Sequence, residues 1–134
     1  REAMEDVQAI LSDWQKHLEN SQSRLADQPG VLHSFSGTEL DAENIRKSNF
    51  LIGITGPVTF HNALDLQELV MRLPLDCILI ETDSPFLTPH VNRGKRNEPA
   101  RVRLVAEKIA ELHQEAYNTV TNITAANTAR LFRW

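Results

Sequence analysis

Cys77-Ile78-Leu79-Ile80-Glu81-Thr82-Asp83-Ser84-Pro85 is an apolar run that ends abruptly in two carboxylates and a proline. Consecutive apolar residues with repeated isoleucine predict a strand buried on both faces, with the carboxylates placed where the strand leaves the sheet. Pro85 cannot donate to a ladder and disfavours helix at Ser84, so the chain turns outward just past Asp83. The Asp83 carboxylate is thereby left at the C-terminal end of a strand, where parallel barrels and open α/β sheets carry their chemistry.

The same design precedes it in Gly30-Val31-Leu32-His33-Ser34-Phe35-Ser36-Gly37, a short apolar strand with one imidazole at its end. An isolated histidine there is more often a satisfied core residue. Paired with Asp83 at the end of another strand, it supplies the nitrogen and oxygen donors that Zn²⁺ or Mn²⁺ accepts.

Around these strands the pattern alternates. Met4, Val7, Ile10, Leu11, Trp14 and Leu18 recur at helical spacing and predict an amphipathic helix over residues 2–20. Thr38 and Asp41 read as a capping box opening a helix to about Lys47, and residues 50–56 form a strand candidate whose glycines imply close backbone approach or a bend. Asn62 is the expected cap of the helix bearing Leu66, Leu69, Val70 and Leu73, which Pro74 ends. Residues 84–97 form an irregular polar loop, too long for a plain connector. Pro99 suits the first turn of a helix with Val102, Val105, Ala106, Ile109 and Leu112 on its core stripe, and a last helix is expected from about Thr121. The order α-β-α-β-α-β-α-α predicts an α/β fold with a parallel sheet.

A chain of 134 residues, 41% hydrophobic and 24% charged, fits one globular domain or a piece of one. Its net charge of −4 argues against a broadly basic surface, so any nucleic-acid contact must be local or metal-mediated. The single cysteine, Cys77, lies in the apolar strand run and reads as a buried small hydrophobe in a reducing compartment. No apolar run approaches the roughly 18 residues of a membrane span, and a cytoplasmic location is expected.

Residues 31–37, Gly53-Ile54-Thr55-Gly56-Pro57-Val58-Thr59-Phe60, residues 79–87 and Arg93-Gly94-Lys95-Arg96-Asn97-Glu98-Pro99 together, in order and spacing, closely resemble the TatD family of metal-dependent deoxyribonucleases. The ending Ala126-Asn127-Thr128-Ala129-Arg130-Leu131-Phe132 is similar to that family's carboxyl terminus. The resemblance covers essentially the whole chain but only the second half of such a protein. It implies that residues 1–134 are the C-terminal portion of a single (β/α)8 TIM-type barrel domain of the amidohydrolase kind, about strands 6–8 and their helices. It also implies hydrolysis of DNA phosphodiesters at a divalent metal centre of Mg²⁺, Mn²⁺ or Zn²⁺, with two ions in the complete site, often as a 3′-to-5′ exonuclease.

In that resemblance His33 and Asp83 are metal ligands, and Asp83 is also placed to accept a proton from an attacking water. A turn-capping role is the alternative for Asp83. Glu81, two positions from Asp83 and on the same strand face, is expected to fix a ligand or a loop amide, with an ion pair to a loop arginine as the competing role. Arg93, Lys95 and Arg96 either contact substrate phosphates or are simply solvated. His17 and His113 read as surface residues, and His61 and His90 are left without a role. The family's remaining ligands, a His-x-His pair, a Glu and a further His, match no segment of this chain.

A closed barrel takes about 250 residues, so three strands alone are expected to leave interior faces without partners and to be poorly stable. Completion would come from a missing N-terminal half or by self-association. Two other readings stand beside the nuclease: a non-catalytic remnant or partner-binding fragment, and a metal-dependent hydrolase of another substrate class.

Overall fold

The computed structural model describes residues 3–133, and in it the three predicted strands lie side by side in one parallel sheet. The elements are α1 (Met4–Asn20), β1 (Val31–Leu32), α2 (Glu39–Lys47), β2 (Leu51–Ile54), α3 (Leu64–Arg72), β3 (Ile78–Ile80), α4 (Val102–His113) and α5 (Tyr117–Phe132), with short 3₁₀ turns between them. The sheet order is β1-β2-β3, with Leu32 opposite Ile52 and Gly53 opposite Leu79. Each strand is followed by a helix, so all three strand ends open on one edge of the sheet.

The central strand is buried along its whole length, and Ile78 and Leu79 of β3 are buried too. Because successive side chains point to opposite faces, both faces of β2 are covered within the chain. For the central strand this corrects the expectation of faces left without partners, whereas Val31 and Leu32 of β1 and Ile80 of β3 stay partly exposed. The core cluster joins Ile52, Ile54 and Ile78 to Val58, Val70, Val105, Ile109 and Val120 from the surrounding turns and helices.

Thr38 and Asp41 form the expected capping box, with the Asp41 amide donating to Thr38 Oγ1 at 3.2 Å and the Thr38 amide donating to Asp41 Oδ2 at 2.7 Å. Other boundaries differ from the sequence reading. The strands are shorter than the apolar runs, since Cys77 belongs to a one-turn 3₁₀ segment and β1 ends before His33. The helix α3 is preceded by Ala63 without a side-chain cap, so Asn62 does not cap it. Pro99 opens a 3₁₀ turn that leads into α4. The last helix begins at Tyr117, because Gln114 takes a left-handed conformation that ends α4 and the extended Ala116 starts the next element with no capping side chain to advertise it.

On α1, Ile10 and Trp14 face solvent while Gln15 is buried, its Nε2 donating to Ala26 O at 2.9 Å. Glu2, the expected start of that helix, lies outside the described residues. His113 is half-buried and its Nε2 lies 2.8 Å from Val70 O, tying α4 to α3 instead of facing water. Among the described residues no helix is long and apolar enough to cross a membrane.

Candidate active site

β1 and β3 are separated by β2, a span of roughly 10 Å at the usual strand spacing. Side chains from their ends meet only if one of them crosses the middle strand. Glu81, the residue after β3, does so. Its Oε2 lies 2.7 Å from His33 Nδ1 and accepts from the Ser34 amide at 3.1 Å. The crossing passes Gly53 of β2, where a β-carbon would stand 2.5 Å from both Glu81 carboxylate oxygens. The Ser34 hydroxyl, 3.0 Å from Thr55 Oγ1, adds a contact to the end of β2.

With Nδ1 anchored, the other ring nitrogen is aimed. His33 Nε2 lies 3.0 Å from Asp83 Oδ1. Ser34 and Asp83 both take left-handed backbone conformations, with φ of 49° and 56°. Those conformations turn the chain sharply at each strand end, and Asp adopts them more readily than most residues. The Ser84–Pro85 peptide is cis.

The hydrogen bond to Asp83 raises the His33 imidazole above its usual pKa; burial opposes it, and the charges of Glu81 and Asp83 and the hydrogen bond to Glu81 add to the rise. Glu81 is pushed up by burial, although the Ser34 amide and His33 pull it back. When protonated, the ring donates from each nitrogen to one carboxylate.

The sequence reading named His33, Asp83 and Glu81, and the structure brings all three together. Glu81 pairs with His33 and a loop amide, not with a loop arginine. His33 Nε2 and Asp83 Oδ1 are adjacent, partly exposed, and of the donor types that Zn²⁺ or Mn²⁺ accepts, so this pair fits part of a divalent-cation site. Glu81 contacts the opposite ring nitrogen and so orients the histidine without joining the donors. Accordingly, no group of three or more His, Cys, Asp or Glu among the described residues converges to hold a metal.

The loop from Ser84 to Glu98 is built around Asn97. This buried side chain donates through Nδ2 to Thr82 O and Phe86 O, each at 2.7 Å, and accepts from the Glu98 amide at 2.9 Å. Thr88 Oγ1 donates to Lys95 O at 2.6 Å, and Gly56 leaves room for the Leu87 carbonyl. Arg93, Lys95 and Arg96 are exposed on this loop, Arg93 with its guanidinium 4.5 Å from the centre of the Phe60 ring. His61 and His90 meet edge to face at 3.9 Å, and the His90 amide donates to Thr59 Oγ1 at 2.8 Å. Ser34, Thr55 and the role of Gly53 were missed by the sequence reading. The glycine carried a signal of close approach, whereas the two hydroxyl residues carried none.

A family model described as TatD related DNase matches residues 1–133. The chain belongs to the TatD family. A Bacillus subtilis (strain 168) relative, named as the uncharacterized metal-dependent hydrolase YabD, is 45% identical over 99% of this chain and 49% of its own length. An Erwinia tasmaniensis relative named 3′-5′ ssDNA/RNA exonuclease TatD is 33% identical over 98% of this chain and 49% of its own. Among solved structures, that of the TatD homologue YjjV from Escherichia coli K12 superposes with a TM-score of 0.83 at 26% identity, covering all of this chain and 48% of that one. The chain spans about half the length of the curated relatives it matches. The TatD fold accounts for the parallel β/α order: β1 to β3 and their helices are part of a (β/α)8-type barrel.

Proposed function

We propose that this chain carries one donor pair and the substrate-facing loop of a metal-dependent hydrolase of DNA phosphodiesters, acting as an exonuclease on single strands. The observation that carries this reading is the His33–Asp83 pair, 3.0 Å apart at the sheet edge and oriented from behind by Glu81. The Erwinia relative's name supplies the substrate class.

A bound divalent ion would supply charge to polarise a phosphate oxygen and to acidify a water. The chain's own residues do the rest. His33 holds its Nε2 toward the site because Glu81 fixes Nδ1. The Asp83 carboxylate accepts the proton that the attacking water loses. Arg93, Lys95 and Arg96 draw the polyanionic strand to the loop. Two donors are fewer than the roughly three protein ligands of a catalytic zinc site, so further ligands come from a larger polypeptide or a second chain.

The test is Mg²⁺- or Mn²⁺-dependent nucleotide release from a 3′-ended single-stranded DNA by the chain in its longest expressed form, with Asp83→Ala and His33→Ala as controls. Release abolished by both substitutions supports the reading. Release unchanged in Asp83→Ala, or turnover of amide or phosphomonoester substrates with none of nucleic acid, overturns it.

A further inference from the structure

The loop that leaves β3 holds a feature that the hydrolytic residues do not use. Phe86 is 70% exposed, three residues beyond Asp83, yet both of its backbone polar groups are fixed. Its N–H donates to Asp83 O at 2.8 Å, and its carbonyl accepts from Asn97 Nδ2 at 2.7 Å. Asn97 in turn donates to Thr82 O, on the other side of Asp83. The turn carrying the Asp83 carboxylate and the turn carrying the Phe86 ring are therefore one unit, with the ring's starting point set before any ligand arrives.

A single exposed apolar side chain is ordinary. Phe86 is not alone in its loop. Val91 is also a large exposed apolar residue, and Arg93, Lys95 and Arg96 follow, none of which makes an ion pair among the described residues. A ring exposed to solvent three residues from a candidate hydrolytic carboxylate, with cations on the same loop that make no ion pair among the described residues and of which Arg93 lies over Phe60, matches how proteins take single-stranded nucleic acid. The aromatic face stacks on a base, and the cations follow the phosphates.

We propose that Phe86 is a stacking platform for an unpaired nucleobase, and that it sets the position of the strand end relative to Asp83. A duplex keeps its base faces covered, so this contact selects unpaired ends. The inference rests on the nucleic-acid reading above and adds a residue and a recognition mode to it.

The test is fluorescence anisotropy of the chain with labelled oligothymidylate and with an abasic oligonucleotide of equal length, both carrying phosphorothioate linkages against cleavage. Comparing the two separates base stacking from backbone attraction. Wild type is expected to bind the base-bearing strand about five-fold or more tightly than the abasic one. Phe86→Ala brings that ratio close to one with the abasic affinity unchanged, and Phe86→Trp keeps or raises it. An equal loss for both strands in Phe86→Ala assigns the ring a structural role and overturns the proposal. Equal wild-type affinity for both strands overturns the stacking platform while leaving the nucleic-acid reading standing. Binding of neither strand overturns both.

Discussion

Gly53 and Glu81 occupy one place. A β-carbon on Gly53 would stand 2.5 Å from both carboxylate oxygens of Glu81, which crosses β2 at that point to reach His33 and the Ser34 amide. The absence of a side chain on the middle strand is thus what lets the two outer strand ends be joined.

Gly53→Ala is therefore expected to displace Glu81 and to cost about 1–3 kcal/mol in denaturant unfolding, through overpacking and the loss of two hydrogen bonds. In an Glu81→Ala background the same substitution costs much less, because the collision is gone. A double-mutant cycle reads the difference, and additive effects would mean that the two residues are not coupled.

Asn97 is 2% exposed and satisfies three backbone groups of the loop at once. Asn97→Ala is expected to destabilise by about 2–4 kcal/mol and to increase amide exchange across residues 84–98. Asn97→Asp should do no better, since it sets a carboxylate oxygen against the carbonyls of Thr82 and Phe86. A stability change within a few tenths of a kcal/mol for either variant would contradict this account.

The Thr38 amide holds the Asp41 carboxyl below its ordinary value of 3.8, with the Thr38 hydroxyl and Gln8 assisting against partial burial. A depressed folded pKa means that the stabilisation is fully present above the unfolded value and fades as pH falls through the lower folded one. Thr38→Ala is expected to cost about 1 kcal/mol at pH 7. Asp41→Asn should be less stable than wild type at neutral pH, with the gap closing as pH drops below 3.8. Thermal unfolding across that range checks the sign.

Burial pushes the Cys77 thiol up to about 11, and its Sγ donates to Pro74 O at 2.9 Å. Thiol reagents attack the thiolate, so at pH 8 the native chain should react with a disulfide reagent far more slowly than the urea-unfolded chain. Equal rates in the two states would show that the 3₁₀ segment before β3 is open.

Much of the fold was legible because its signals are local. The carboxylates after Ile80, Thr38 with Asp41, and the proline after Leu73 each read correctly, since apolar runs, caps and proline act within a few residues. The start of α5 was not legible, because Ala116 offers no cap, nor was the tie from His113 to Val70, which depends on how α4 lies against α3. At the candidate site, His33, Glu81 and Asp83 could be named from strand ends and from the family resemblance. Which ring nitrogen faces which carboxylate could not, since sequence carries no distance.

By itself the sequence determined the alternating order of strands and helices, the strand-end positions of His33 and Asp83, and the long loop after β3. Only the tertiary structure decided that Glu81 passes over Gly53 to orient His33, and that Asn97 binds the Asp83 and Phe86 turns into one unit. The site contacts join residues 47 and 50 positions apart. Hydrogen bonds at such separations form only once the strand order and register bring three strand ends to a common edge.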